Sequence, residues 1–347
     1  MKTKILTYIT IATAILFTSC EKEIEFNGEQ NDSKLVINSI VEPGQPVSAA
    51  ISKSFFFLDN TANTIAPEDL VATLYVNGNR RGEMTPHFDT IVSYDIWEPN
   101  NPNLGHIRKI YTYDYCPAVG DVIKITASAS GFDDVVAITQ PLPKAVDCQA
   151  NVEITDWRSY YQPTYYYDHE EQDYIEDSLL SFFGTLVLRI DITDPNPGQI
   201  DYFKIDISSG FSTLLSSCRC YFEYDDPIFG SVLPNNEFVD FSELETRPKN
   251  VFTDMLFDGK SYQLKVKMKI EVALEDGADT DFFQLPIRLE HITKEYYNYL
   301  NTCDQGDEMD LQILTEPIHT YTNVDGGYGI VGGRLVDKIW YALPLSE

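Results

Sequence analysis

An all-β chain, mainly antiparallel and built as two β-sandwich-like domains, is what this sequence predicts, and three observations predict it. Aromatics are abundant, with 22 Tyr and 19 Phe in 347 residues, and such side chains suit a pleated, half-buried surface. Short runs rich in Val, Ile and Thr recur between turn signals. Val71–Val76, for example, runs into Asn77-Gly78, the strongest short hairpin signal. Lys265-Val266-Lys267-Met268-Lys269-Ile270-Glu271-Val272 alternates strictly, so one face of that strand is wet. The length suits two domains, and a hydrophobic content of 43% supplies their cores.

Taken in order, the chain begins with a secretory signal over residues 1–19. Lys2 and Lys4 give a positive start, and Ile5 to Phe17 is apolar apart from threonines and one tyrosine. That run is short for a membrane span. Ser19-Cys20 follows, and the whole resembles a bacterial lipoprotein signal, although Phe17 stands where that pattern usually has leucine. The resemblance implies lipidation of Cys20 by acyl chains such as palmitate and an outer-membrane location. Residues 20–34 are polar and read as a flexible lipidated tether. Glu21-Lys22-Glu23-Ile24-Glu25 resembles the acidic signal of surface-exposed lipoproteins, which implies a protein facing the cell exterior.

Residues 35–144 form an N-terminal immunoglobulin-like β-sandwich. Strands are expected at Leu35–Val41, Val47–Phe57, Val71–Val76, Ile110–Tyr115, Asp121–Ala129 and Val135–Thr139. Turns fall at Gly120 and Gly131, and residues 85–108 read as a long polar loop. Pro141-Leu142-Pro143 is a stiff junction.

Residues 145–347 form a C-terminal β-rich domain. Its aromatic and acidic stretch over 151–178 reads as an exposed loop. Strands follow at Phe183–Ile192, Asp201–Ser208, Lys260–Leu274 and Phe283–His291. One short helix is expected near 294–303, capped by Thr293, with Tyr296, Leu300 and Cys303 on one face. Arg334–Tyr341 is a last strand.

A formal net charge of −29 repels nucleic acid and anionic headgroups. With Cys20 lipidated, five cysteines remain for an oxidising compartment that allows disulfides. Cys218 and Cys220 share a face if extended, which suggests a bridge from this pair to Cys303, with Cys116 and Cys148 as a second pair. C-x-C lacks the spacer usual at zinc sites, so no metal and no cofactor is expected.

Three further stretches carry a family resemblance: Val251-Phe252-Thr253-Asp254 with Phe257-Asp258-Gly259-Lys260-Ser261-Tyr262; Tyr296-Tyr297-Asn298-Tyr299-Leu300; and Tyr321 to Gly333 with its glycine motif. With the lipoprotein start, they resemble the Bacteroidetes lipoproteins of domain of unknown function 4249 (DUF4249). Val331 replaces a Phe common in that pattern. The resemblance implies an accessory role beside a TonB-dependent receptor in nutrient uptake. It supplies no catalytic residues.

The residues themselves point the same way. Gly327-Tyr328-Gly329-Ile330-Val331-Gly332 matches G-x-G-x-x-G, but a strand follows it where dinucleotide binding needs a helix. The glycines are better explained by close backbone approach. Asp191 to Gly198 has calcium-like oxygen spacing, yet its prolines read as a turn. No nucleophile stands beside a base in any known catalytic spacing. Exposed aromatics pack on partners and ligands, so Trp157, Tyr160, Tyr161, Tyr165, Tyr166 and Tyr167 are the expected binding residues. The expected function is that of a non-catalytic, surface-exposed outer-membrane lipoprotein that binds a TonB-dependent receptor or an unknown nutrient ligand. An extracellular hydrolase and a structural envelope lipoprotein are the rival readings.

Overall fold

Alternation of apolar residues decides which face each strand buries. Leu35, Ile37 and Val41 are buried on one face of the first strand, while Asn38 is exposed. The structure, a computed structural model, describes residues 32–54, 65–92, 105–168, 173–207, 215–223, 226–230, 250–274, 282–303 and 320–344. The signal, Cys20 and nearly all of the tether lie outside these residues. Within them the chain is mostly strand, in three sheets.

The largest sheet has eight strands. Its order is β13 (Val251–Thr253), β11 (Tyr202–Ile207), β15 (Phe282–Ile292), β17 (Tyr328–Pro344), β1 (Leu35–Val41), β2 (Val47–Lys53), β6 (Gly105–Tyr113) and β5 (Thr85–Val92). All neighbours are antiparallel except β1 and β17, which run parallel with Ile37 opposite Gly329. A five-stranded sheet has the order β16 (Val324–Asp325), β8 (Val135–Ile138), β7 (Ile123–Ser128), β3 (Val71–Val76) and β4 (Asn79–Glu83). A four-stranded sheet has β12 (Leu215–Glu223), β14 (Ser261–Leu274), β10 (Asp173–Thr193) and β9 (Cys148–Asp168).

Two cores result. Ile37 and Ile51 of the large sheet pack with Leu74, Ile123 and Ile125 of the five-stranded sheet. Phe203, Ile287 and Leu289 of the same large sheet pack with Leu186, Leu188, Val266 and Met268 of the four-stranded sheet. One sheet runs through both cores, the first core takes Val324 and Val331 from the C-terminal half, and Ser33–Glu347 forms one compact unit. The late strand β17 makes this link. It serves the second core through Leu343 and the first through Val331. Its start demands glycine: Gly329 has φ 103, and a Cβ there would overlap the Ile37 carbonyl oxygen. The glycine motif is therefore a close-approach device, with a strand after it.

Several expected elements stand as read. β1 and β3 have the expected bounds, and Asn77 and Gly78 form the β3–β4 turn with φ 50 and 80, as a two-residue type I′ hairpin requires. Helix α1 spans Lys294–Cys303. Its buried residue is Tyr297, with Tyr296 and Leu300 packed beside it against Val251 and Ile292. The Thr293 carbonyl accepts the Tyr297 N–H, but its hydroxyl accepts the Gly333 N–H rather than capping the helix. Two expectations need correction. Residues 85–92 and 105–108 lie in β5 and β6, which pair with each other, and residues 151–168 and 173–178 lie in β9 and β10. Both are strands whose backbone ladders, not buried apolar side chains, hold much of their length.

Candidate functional site

Strands β9 and β10 are each 21 residues long and pair from Ile192↔Cys148 out to Asp173↔Asp168. Their inner ends cover the second core, and their outer ends run on past it. A register shift between Phe183 and Thr185 sets Asp156 and Trp157 against Gly184, with Asp156 at φ 55. Such a bulge re-aims the side chains that follow. Trp157 lies over Gly184, where a Cβ would overlap its ring, and stacks on Phe182 with ring centroids 5.8 Å apart.

Period-two alternation then puts Trp157, Tyr161 and Tyr165 on one face. Beyond Trp157 this face is exposed. Trp157 packs against the core, whereas Tyr161 is 70% and Tyr165 62% exposed. Tyr160 points to the other face and donates its hydroxyl to Glu271 of β14. The side chains of Tyr166 and Tyr167 lie outside those described, although both residues are paired within the hairpin. Of the six aromatics expected from sequence, the structure thus sets Tyr161 and Tyr165 as an exposed pair, Tyr160 as a hydrogen-bonded neighbour and Trp157 as the anchor. Among the described residues β9 is also the edge strand of its sheet.

A second constellation was not foreseen as a unit. Asp194, Asp201 and Asp254 are all buried, and each brings a carboxylate oxygen within 4.8 Å of the other two. They come from the turn after β10, the start of β11 and the 3-10 turn Asp254–Leu256. Asp194 accepts the Asn196 N–H at 2.7 Å, as an Asx turn does, and the Gly259 N–H. Asn196 Nδ2 donates to both Asp201 oxygens at 2.9 and 3.0 Å. Asp254 Oδ1 accepts the Asp201 N–H at 3.0 Å. Burial, then the charges of Asp201 and Asp194, push the Asp254 carboxyl up to about 6. The imidazole beside the trio is His291, buried beneath Phe203, with Nε2 3.2 Å from Asp201 Oδ1 and Nδ1 2.8 Å from the Lys144 carbonyl. The one sequence signal was Asp194 in its Pro-rich turn. Asp191, from the same stretch, is elsewhere, accepting from Gln263.

The cysteines are spread out. Cys116 is an exposed free thiol and Cys148 a half-buried one, so the pair expected between them is not formed. Cys218 and Cys220 alternate with one residue between them on β12, opposite Val272 and Ile270; their side chains lie outside those described. Cys303 ends α1 with its thiol 3.7 Å from the Leu300 carbonyl. Among the described residues no helix is long and apolar enough to cross a membrane.

A family model described as domain of unknown function (DUF4249) matches residues 21–339. No curated protein matches the chain. A solved structure titled "BspA_C_mut" is 8% identical, covering 90% of this chain and 98% of its own, with a TM-score of 0.16.

Proposed function

This chain belongs to the DUF4249 family, and on that premise we propose that it is a non-catalytic binding protein, a surface-exposed outer-membrane lipoprotein that assists a TonB-dependent nutrient uptake system. The observation that carries the binding half of this reading is the pair Tyr161 and Tyr165 on the outer end of the β9–β10 hairpin. Large aromatics held on a rigid ladder lose little conformational entropy on binding and bring much contact area. The edge strand β9 adds main-chain groups to which an extended partner segment can pair. The anchoring half rests on the sequence, where Lys2, Lys4, the apolar run and Cys20 resemble a lipoprotein signal. The partnership with a receptor rests on the family resemblance, and the ligand is a nutrient of unassigned class.

Affinity capture from detergent-solubilised envelopes with the tagged chain tests the whole reading. The expected product is a complex with an outer-membrane receptor. A central aromatic anchor typically costs 2 kcal/mol or more when truncated, roughly a thirtyfold loss. Replacing Tyr161 and Tyr165 together by Ala is expected to weaken capture by at least about that factor with the fold intact. Cys20→Ala, an arm of the same experiment, is expected to leave the membrane fraction. Undiminished capture by the tyrosine variant removes the hairpin as the site, and turnover of a glycan or peptide by the purified chain replaces the binding reading by the hydrolase one.

A further inference from the structure

We propose that Asp194, Asp201 and Asp254 are ligands of one calcium ion, which clips the turn after β10 to the 3-10 turn after β13. The three carboxylates come from separate segments, with Asp201 and Asp254 53 residues apart in sequence. All are nearly removed from water, at 6%, 6% and 1% exposure. Three like charges in such a space are expensive unless compensated. The compensation provided by side chains is incomplete. Among the described residues, the one basic side chain within ion-pair distance of the trio is His291, beside Asp201. Of the three carboxylates His291 reaches Asp201 alone, and among the described residues no Lys, Arg or His lies within ion-pair distance of Asp194 or Asp254.

A separate observation concerns one carboxylate of the same trio. Asp254 Oδ2 is fully buried and has no hydrogen-bond partner, although Oδ1 of the same carboxylate is bonded to the Asp201 N–H. A buried carboxylate oxygen left alone is rare in a folded protein, and a metal ion is a group that satisfies it. The remaining bonds hold the ligands in place. The N–H groups of Asn196 and Gly259 fix Asp194, and the Asn196 amide fixes Asp201. Each of the three carboxylates retains at least one lone pair beyond its hydrogen bonds.

The donor set selects the ion. It is all oxygen and carries charge, with neither thiolate nor a second imidazole, which suits a hard cation rather than zinc or copper. Oxygens on one calcium stand up to about 5 Å apart, twice a bond of 2.3–2.6 Å, whereas magnesium holds its ligands in a tighter octahedron and keeps most of its water. Three buried carboxylates with oxygens within 4.8 Å of one another, drawn from separate segments rather than a preformed octahedron, suit the ion that tolerates irregular geometry.

Calorimetric titration of the chelator-treated full-length chain with CaCl2 in about 0.15 M NaCl, where diffuse surface attraction is screened, tests this directly. One saturable site is expected, with calcium raising the thermal midpoint and magnesium binding at least tenfold more weakly. Asp254→Asn, which keeps the shape and removes a charge, is expected to weaken calcium at least tenfold and abolish the thermal shift. Asp194→Asn, on the outer turn, is expected to do the same and serves if the first variant folds poorly. Absence of saturable uptake by the native chain overturns the proposal, as does unchanged affinity in a folded variant. Magnesium binding as tight as calcium overturns the choice of ion.

Discussion

Cys148 shows how a residue's setting changes its chemistry. Burial, then the charges of Asp337 and Asp147, push its thiol from 9.0 up to about 11. Only the thiolate attacks an alkylating reagent. At pH 8, iodoacetamide is therefore expected to label exposed Cys116 at least about tenfold faster than Cys148 in the folded chain, as read by peptide mass spectrometry. Equal rates would mean that β9 opens readily at its inner end. The sign for stability follows from the same shift. The unfolded thiol ionises near 9 and the folded one near 11, so this group is neutral to stability below pH 9 and costs the fold stability as pH rises from there toward 11. The aspartate trio makes a parallel point about legibility. Asp194 drew notice for its local spacing, but Asp254 lies far along the chain, and no local pattern marks either it or the nearby Asp201 as a partner. Sequence shows a turn there; only the fold brings the three together.

At the scale of elements, β1, β3 and β14 were legible because one face is apolar and the other polar, so period two is written in the residues. β14 carries it through Leu264, Val266, Met268, Ile270 and Val272, all buried. The outer half of β9 has no such contrast. Tyr, Gln, Pro and Thr alternate with one another there, and the stretch reads as a loop although it pairs throughout with β10. The bulge at Gly184 is the other feature that sequence does not announce, since it depends on which ring lies over the glycine. Gly184→Ala is expected to displace Trp157 from its place on Phe182. Overpacking of this kind costs about 1–3 kcal/mol, which a denaturant titration followed by tryptophan fluorescence reads. In a Trp157→Ala background the same change is expected to cost far less, because the clashing ring is gone and the two sites are coupled. Additive costs would show that the glycine serves the backbone alone.

For the whole molecule, the decisive feature is that the late strand β17 lies parallel to the first strand, β1. A connection of this kind joins residues at opposite ends of the chain, and it is why a two-domain reading from sequence meets a structure in which one sheet spans two cores. The two cores are joined through a seam made by Gly329 against Ile37. Gly329→Ala meets both a positive φ and the Ile37 carbonyl. A non-glycine residue in that region costs about 1–3 kcal/mol before any overlap is counted. Because β1 feeds the first core through Leu35 and Ile37 while β17 reaches the second through Leu343, the damage is expected to spread to both. Hydrogen exchange followed by mass spectrometry checks this. In the Gly329→Ala chain, amides of β3 and β7 are expected to lose protection together with those of β10 and β14, over one denaturant range, as members of a single cooperative unit do. Loss confined to β3 and β7, with β10 and β14 protected as before, would mean that the shared sheet holds two independently folding bodies.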